Sequence, residues 1–355
     1  MPVRRHDLRT ADRARLRDEA VAALRAGALV ALPTESAYGL AARPDDPAAV
    51  AALREATRRP ADQPFVWHVA DRAAGEALWP VMPPQVARLL DRYWPGPLAV
   101  ILPGRDGQPV GVRVPAHDFT HAVLAAYGAP LWLAAVPGDD GAPLRDAAAL
   151  AARLSMRDAL VVDDGPSPLG TPTTVVRRTG PRLEVLREGI LTAAETLHTA
   201  AQRIVFVCTG NTCRSPLAEA LARDLCARAL DVPVEDVLAC GLAFASAGTG
   251  ALDGMPASVG SLAAAAEIGF DLSAHQSRMV DRATIERADR VYCLAASHAR
   301  AVLAKLPSAK AKVALLRPDG HDIADPYGGD LDEYRATREQ IAAAIRDRLA
   351  EWLGR

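Results

Sequence analysis

The densest chemistry in this 355-residue chain lies at Cys208-Thr209-Gly210-Asn211-Thr212-Cys213-Arg214-Ser215-Pro216, directly after the apolar run Ile204 to Val207. A cysteine followed six positions later by arginine and serine, between a strand-like run and a helical pattern, suits nucleophilic attack on phosphorus. The thiolate is the attacking form, so the loop around Cys208 must stabilise a sulfur anion. Amide N–H groups converging ahead of a helix N-terminus supply that positive potential, and the same amides cradle a phosphoryl dianion. Arg214 adds a bidentate fork for two phosphoryl oxygens, and Gly210 permits close backbone approach. Pro216 fits the first turn of a helix expected to begin there, where its missing N–H costs nothing.

The elements that must hold this loop are legible in outline. Strand-like runs at Ile204 to Val207, Arg290 to Leu294 and Val313 to Leu316 alternate with Ala/Leu-rich helical patterns, the rhythm of a parallel sheet whose ligands gather beyond the strand C-termini. The chain before residue 195 is Pro-rich and free of cysteine. There a helix is expected over Leu8 to Ala26, ended by Gly27. A buried strand, Ala28 to Leu32, then runs through Pro33 into the polar loop Thr34-Glu35-Ser36-Ala37-Tyr38-Gly39. Two regimes meet near residue 195, which predicts an α/β protein of two domains, residues 1–195 and 201–355. Leu191 to Arg203 would be a helical or extended connector.

Composition narrows the classes. With 50% hydrophobic and 24% charged residues and a mean hydropathy near zero, the chain is an ordinary globular protein, and collagen-like, coiled-coil and disordered classes are excluded. The 23 basic and 23 acidic residues up to position 200 cancel and the remainder carries the net −2, so nucleic acid is not an expected partner. No apolar run reaches the roughly 18 residues that span a bilayer, and the charged stretch Met1 to Arg17 holds no signal-peptide core. A cytoplasmic location and no membrane partner are expected. All five cysteines lie beyond residue 207, unlike a disulfide framework. Cys213 either resolves an oxidised Cys208 or packs as a small hydrophobe. Cys226, Cys240 and Cys293 are expected in the core, since nothing around them has metal-ligand spacing.

The Cys208–Ser215 segment resembles the Cys-x5-Arg-Ser loop of the low-molecular-weight protein-tyrosine phosphatase family, which includes protein-arginine phosphatases and related arsenate reductases. Ser246-Ala247-Gly248-Thr249, the stretch Gly269 to Arg278 and Asp325-Pro326-Tyr327-Gly328-Gly329 are similar to later family segments in the expected order, so the likeness covers about 203 to 354. It implies a three-layer α/β fold around a parallel sheet and a phosphorylated protein substrate, with no metal or cofactor. By the same resemblance Cys208 is the nucleophile, Arg214 the phosphate-binding cation and Asp325 the acid. Asp325 would protonate the leaving group and then deprotonate the hydrolytic water, an effect worth ~10²- to 10⁴-fold. Thr209, Gly210, Asn211, Thr212, Cys213, Ser215 and Tyr327 would line the substrate site. Asn211, the chain's one asparagine, would brace the loop, and Ser215 would donate to the sulfur. Thr212 stands where tyrosine phosphatases carry a bulkier aliphatic residue, and one aromatic, Tyr327, follows Asp-Pro where they tend to show two. Both features are closer to the arginine-specific pattern. Arsenate reduction lacks a clear cysteine relay here.

Residues about 15 to 190 resemble the YrdC-like family, whose active members make threonylcarbamoyl-adenylate from threonine, bicarbonate and ATP for tRNA modification. The likeness rests on Leu32 to Leu40, Arg59-Pro60, Tyr93 to Leu98, Val112-Arg113-Val114-Pro115, Thr173 to Val176 and Leu186 to Gly189. It implies a twisted α/β sheet, in which Thr34, Glu35, Tyr38, Arg59 and Arg113 either line a pocket for a nucleotide or amino acid or persist as fold-supporting residues. Two departures cut against synthase activity. The family's Lys-x-Arg reads Thr57-x-Arg59, with no lysine anywhere in the first 304 residues, and its Ser-Thr-Ser-Ala-Asn reads Leu133-Ala134-Ala135-Val136-Pro137. Three functions therefore compete: a cysteine-dependent phosphatase, a threonylcarbamoyl-AMP synthase, and a phospho-residue reader that binds without turnover.

Overall fold

Alternation along Gln202–Cys208 explains the second half of the molecule. Ile204, Phe206 and Cys208 enter one core cluster while Val205 and Val207 enter another, so both faces of the strand are buried. In the computed structural model, which describes residues 3–154 and 158–354, this strand is central in a four-stranded sheet. The order is Leu242–Gly248, Gln202–Cys208, Arg290–Cys293 and Val313–Leu315, every pairing parallel. One face is covered by the helices Arg214–Leu230 and Leu331–Leu353, the other by Arg282–Arg287 and Ala296–Lys305. The result is the three-layer arrangement. Phe206, Phe244, Tyr292 and Trp352 pack ring against ring, and Trp352 Nε1 donates to Tyr292 Oη at 3.1 Å, tying three strands to the last helix.

The chain divides into two compact units, Met1–Ala200 and Ala201–Arg355. The first is built on a ten-stranded mixed sheet. Its order is Arg4–Asp7, Ala159–Asp163, Leu29–Leu32, Gly39–Ala42, Leu131–Ala135, Val66–His68, Pro109–Arg113, Leu98–Pro103, Thr174–Thr179 and Arg182–Arg187. Helices Arg13–Arg25 and Asp118–Tyr127 bury one face of its first half, and Pro47–Thr57 with Ala147–Arg153 bury the other.

Several expectations need correction. The helix expected over Leu8 to Ala26 starts at Arg13, because Asp12 caps it through the amides of Ala14 and Arg15, while Arg4–Asp7 pairs as an edge strand. The connector, expected as helical or extended, contains the helix Ala193–Ala200 and so takes the first form. The loop helix begins at Arg214 rather than Pro216, and Pro216 still falls in its first turn. The strand Leu242–Gly248 went unanticipated, since its small Ala, Ser and Gly residues carry little hydrophobic signal. No helix among the described residues is long and apolar enough to cross a membrane.

Candidate functional site

The strand Gln202–Cys208 delivers the cysteine to the C-terminal edge of the sheet, and the backbone then turns through Thr209 to Cys213 into the helix. That turn needs a left-handed residue, and Asn211 takes it at φ 54°. The Asn211 side chain donates from Nδ2 to Ser215 Oγ (2.9 Å) and Ser246 Oγ (3.0 Å) and accepts from the Arg278 amide (2.9 Å). Its carbonyl lies 2.7 Å from His275 Nε2. The neighbouring strand approaches so closely that a Cβ on Gly248 would sit 2.4 Å from the Thr209 carbonyl, which fixes glycine there.

Around the sulfur the geometry favours an anion. Cys208 is buried, its Sγ accepting from the Asn211 amide at 3.2 Å and lying 3.0 Å from Ser215 Oγ, whose one proton can turn to the sulfur in place of the Ala247 carbonyl at 3.4 Å. The amides of Gly210, Thr212 and Cys213 donate to no protein acceptor among the described residues and precede the helix N-terminus, an arrangement suited to phosphoryl oxygens. Arg214 is buried; it donates from Nη1 to the Ile323 carbonyl (3.2 Å) and from Nη2 to Asp325 Oδ2 (2.5 Å). The arginine and the carboxylate thus meet, although 111 residues separate them in sequence. Asp325 is half exposed and Tyr327 is exposed, its amide 3.4 Å from Asp325 Oδ1. Such an arrangement can hold an oxyanion, present a sulfur nucleophile and place a carboxyl nearby.

Cys213 does not open into this loop. It stands at the position before the helix without capping it and packs with Ala264 and Tyr334, its Sγ 3.6 Å from the Tyr334 hydroxyl. Thr212 is half-buried, its Oγ1 3.7 Å from that sulfur. Burial pushes the Cys226 and Cys293 thiols up to about 12, consistent with inert core residues. Cys240, expected in the core, is only half-buried, because it lies in the turn before Leu242–Gly248. Among the described residues no group of three His, Cys, Asp or Glu side chains is arranged to hold a metal ion.

Sequence reasoning missed four contributors: His275, Ser246 and Arg278, which hold Asn211, and His298, whose Nε2 lies 2.9 Å from Thr209 Oγ1. Only position could have flagged His298, five residues after the end of the strand Arg290–Cys293, on the ligand-facing edge of the sheet.

In the first unit, Thr34 to Tyr38 form a buried loop between two antiparallel strands. Glu35 and Arg113 make a buried ion pair, Arg113 also donating to Ser36 Oγ (2.9 Å) and the Gly96 carbonyl (3.2 Å), while Glu35 Oε2 accepts from the Ala116 amide (3.0 Å). Burial pushes the Arg113 pKa down and Glu35 opposes it. Thr34 Oγ1 bonds the Ala37 carbonyl, and the Tyr38 hydroxyl bonds the Gly165 carbonyl at 2.6 Å. Arg59 stands apart, donating to the Pro64 carbonyl and lying 5.2 Å from the Phe65 ring centroid. Burial and then the charge of Arg187 push the Arg59 pKa down, and Arg187 is in turn influenced by Arg113. Thr57, at the family's lysine position, spends its hydroxyl on the Leu53 carbonyl at 2.7 Å, and Ala134 and Val136 are core residues.

Residues 203–354 match the family profile described as low molecular weight phosphotyrosine protein phosphatase. A protein-arginine-phosphatase of Geobacillus stearothermophilus is 38% identical over 156 residues, covering 42% of this chain and 95% of that protein. The chain belongs to this phosphatase family. Its first unit belongs equally to the Sua5/YciO/YrdC family, whose profile, described as telomere recombination, matches residues 22–189. A threonylcarbamoyl-AMP synthase of Alkalilimnicola ehrlichii is 34% identical over 169 residues, 45% of this chain and 87% of that protein. The chain spans about half the length of other such synthases, 53% of the Bacillus subtilis one. The solved structure of a Pyrococcus abyssi Sua5 variant aligns with a TM-score of 0.51 at 26% identity, covering 63% of this chain and 76% of that one. The phosphatase unit is therefore a cysteine-based phosphatase by kinship as well as by its loop.

Proposed function

We propose that residues 201–355 transfer the phosphoryl group of a protein phosphoarginine or phosphotyrosine to Cys208 and hydrolyse the phosphocysteine, with phosphoarginine preferred. The observations that carry the reading are two contacts made by one loop, Cys208 Sγ with Ser215 Oγ and Arg214 with Asp325, together with the amides of Gly210, Thr212 and Cys213, which meet no protein acceptor among the described residues. In the first step Cys208 Sγ bonds phosphorus as the bond to the leaving nitrogen or oxygen breaks, and Asp325 gives that atom its proton. In the second, water oxygen bonds phosphorus as Asp325 takes its proton, and the S–P bond breaks with its electron pair on sulfur, an anion then hydrogen-bonded by the Ser215 hydroxyl and the Asn211 amide. Arg214 and the loop amides stabilise the phosphoryl oxygens throughout.

Three features support the arginine preference. Thr212 leaves room and a hydroxyl near the loop, Tyr327 is one aromatic followed by two glycines, and the Geobacillus relative is a protein-arginine-phosphatase. Phosphate release from phosphoarginine and phosphotyrosine peptides by wild type, Cys208→Ser and Thr212→Ile tests the reading. Turnover is expected to vanish in Cys208→Ser, and the arginine-to-tyrosine ratio to fall about tenfold in Thr212→Ile, since pocket contacts shift specificity by a few kcal/mol at most. A wild-type preference for phosphotyrosine that Thr212→Ile leaves unchanged refutes the preference.

For the domain spanning residues 1–195, the proposal is a module without synthase turnover. Thr57, internally bonded, offers no cation for a triphosphate, and Ala134 and Val136 offer no hydroxyl. Threonylcarbamoyl-adenylate formation at a rate comparable with a genuine synthase refutes it.

A further inference from the structure

We infer that His298 is a positioning residue of the phosphate loop: Nε2–H donates to Thr209 Oγ1, so the threonine hydroxyl beside the nucleophile must aim its own proton away from the imidazole, toward an anion held in the loop. The inference rests on the phosphatase reading and adds a residue to it.

His298 lies in the first turn of the helix Ala296–Lys305, is 3% exposed, and has its Nε2 2.9 Å from Thr209 Oγ1. Thr209 follows Cys208 directly and is exposed on its other side. A hydroxyl that accepts from histidine has a proton left to donate; one that donates to histidine has none. The second ring nitrogen decides between these cases. Nδ1 is buried with no hydrogen-bond partner among the described residues, and so is Nε of Arg214. The charged groups felt by the imidazole are Arg214, Asp325 and Asp322. A proton on Nδ1 would be a buried donor with no acceptor, which proteins avoid more strictly than an unpaired lone pair. That leaves the proton on Nε2, facing Thr209. Burial, then Arg214, push the imidazole pKa down to about 4, with the two aspartates opposing, so the ring is neutral where the loop binds phosphate.

The consequence is a coupling between two side chains. Hydrogen bonds to charged groups are worth enough that losing this one weakens anion binding about tenfold. Vanadate binding to the full chain, followed by isothermal titration, is therefore expected to weaken about tenfold in His298→Leu and by a similar factor in Thr209→Val, with little further loss in the double variant. His298→Gln, whose amide nitrogen reaches where Nε2 does, is expected to regain most of the affinity. Independent losses that multiply in the double variant, or a Gln variant no better than Leu at equal melting temperature, overturn the inference. Nitrogen-15 NMR of the wild-type imidazole gives a second reading that needs no turnover. The Nε2–H tautomer, neutral to about pH 5, supports the inference, and the Nδ1–H tautomer overturns it. Should the chain bind vanadate and show this coupling but release no phosphate from peptides, the phosphatase reading falls and the loop assignment stands.

Discussion

Ser215→Ala is the most informative perturbation of the loop. The hydroxyl lies 3.0 Å from Cys208 Sγ and accepts from Asn211 Nδ2 at 2.9 Å. Removing it takes one of two donors from the sulfur but leaves the loop braced, because Asn211 keeps Ser246, the Arg278 amide and its own contact to the sulfur. Loss of a hydrogen bond to a charged atom costs ~1.5–3 kcal/mol, or about 10- to 150-fold in any step in which that charge develops. Charge returns to sulfur when phosphocysteine breaks down, so that step should slow by this factor, while phosphorylation of the cysteine, in which sulfur loses charge, is affected less. A stopped-flow assay with p-nitrophenyl phosphate should then show a burst of nitrophenol approaching one equivalent, followed by slow turnover. The melting temperature controls for unfolding, the orphaned amide proton costing about 1 kcal/mol. Unchanged turnover without a burst, in a folded variant, refutes the assignment of Ser215 to the leaving sulfur.

Asp325→Asn should lower kcat/KM, which reports phosphocysteine formation alone, by ~10²- to 10⁴-fold on poor leaving groups and by much less on p-nitrophenyl phosphate, which a leaving-group series measures; a kcat/KM loss that does not depend on the leaving group contradicts the acid role. In the first unit, burial, then Arg113, push the pKa of His68 down to about 3 from its ordinary 6.5. The unfolded state binds the proton first, so this contribution is intact above about pH 6.5 and is lost as pH falls toward 3. It amounts to about 5 kcal/mol across that window. His68→Gln should flatten the acid limb of the denaturation midpoint of this unit; an unaltered limb contradicts the argument. Glu35→Ala leaves Arg113 buried without its partner and should destabilise the first unit by ~3–5 kcal/mol, read from urea unfolding.

How much of this was legible in the sequence depended on how local each signal was. Cys208 and Arg214 could be read from their spacing because strand, loop and helix are contiguous there. The meeting of Arg214 with Asp325 rests on sheet order, which no local pattern states; the Asp-Pro resemblance supplied only the candidate. The strand Leu242–Gly248 was opaque because Ala, Ser and Gly leave no periodic hydrophobic trace, yet Gly248 and Ser246 on it shape the loop from outside. His298 was invisible for a similar reason: its partner Thr209 lies 89 residues away, and a single histidine in an alanine-rich helix carries no spacing. In the first unit the loop Thr34 to Tyr38 was legible as polar, but its burial brings in partners far along the chain, Arg113, Ala116, Gly165 and Thr173.

The central claim is a covalent bond between phosphorus and one sulfur. Acid quenching during turnover of a phosphoarginine peptide, then mass spectrometry of the peptide containing Cys208, tests it most directly, with Ser215→Ala used to accumulate the intermediate. The account predicts phosphate on Cys208 and none in Cys208→Ser. Turnover with unmodified Cys208, or phosphate release that survives Cys208→Ser, would contradict it.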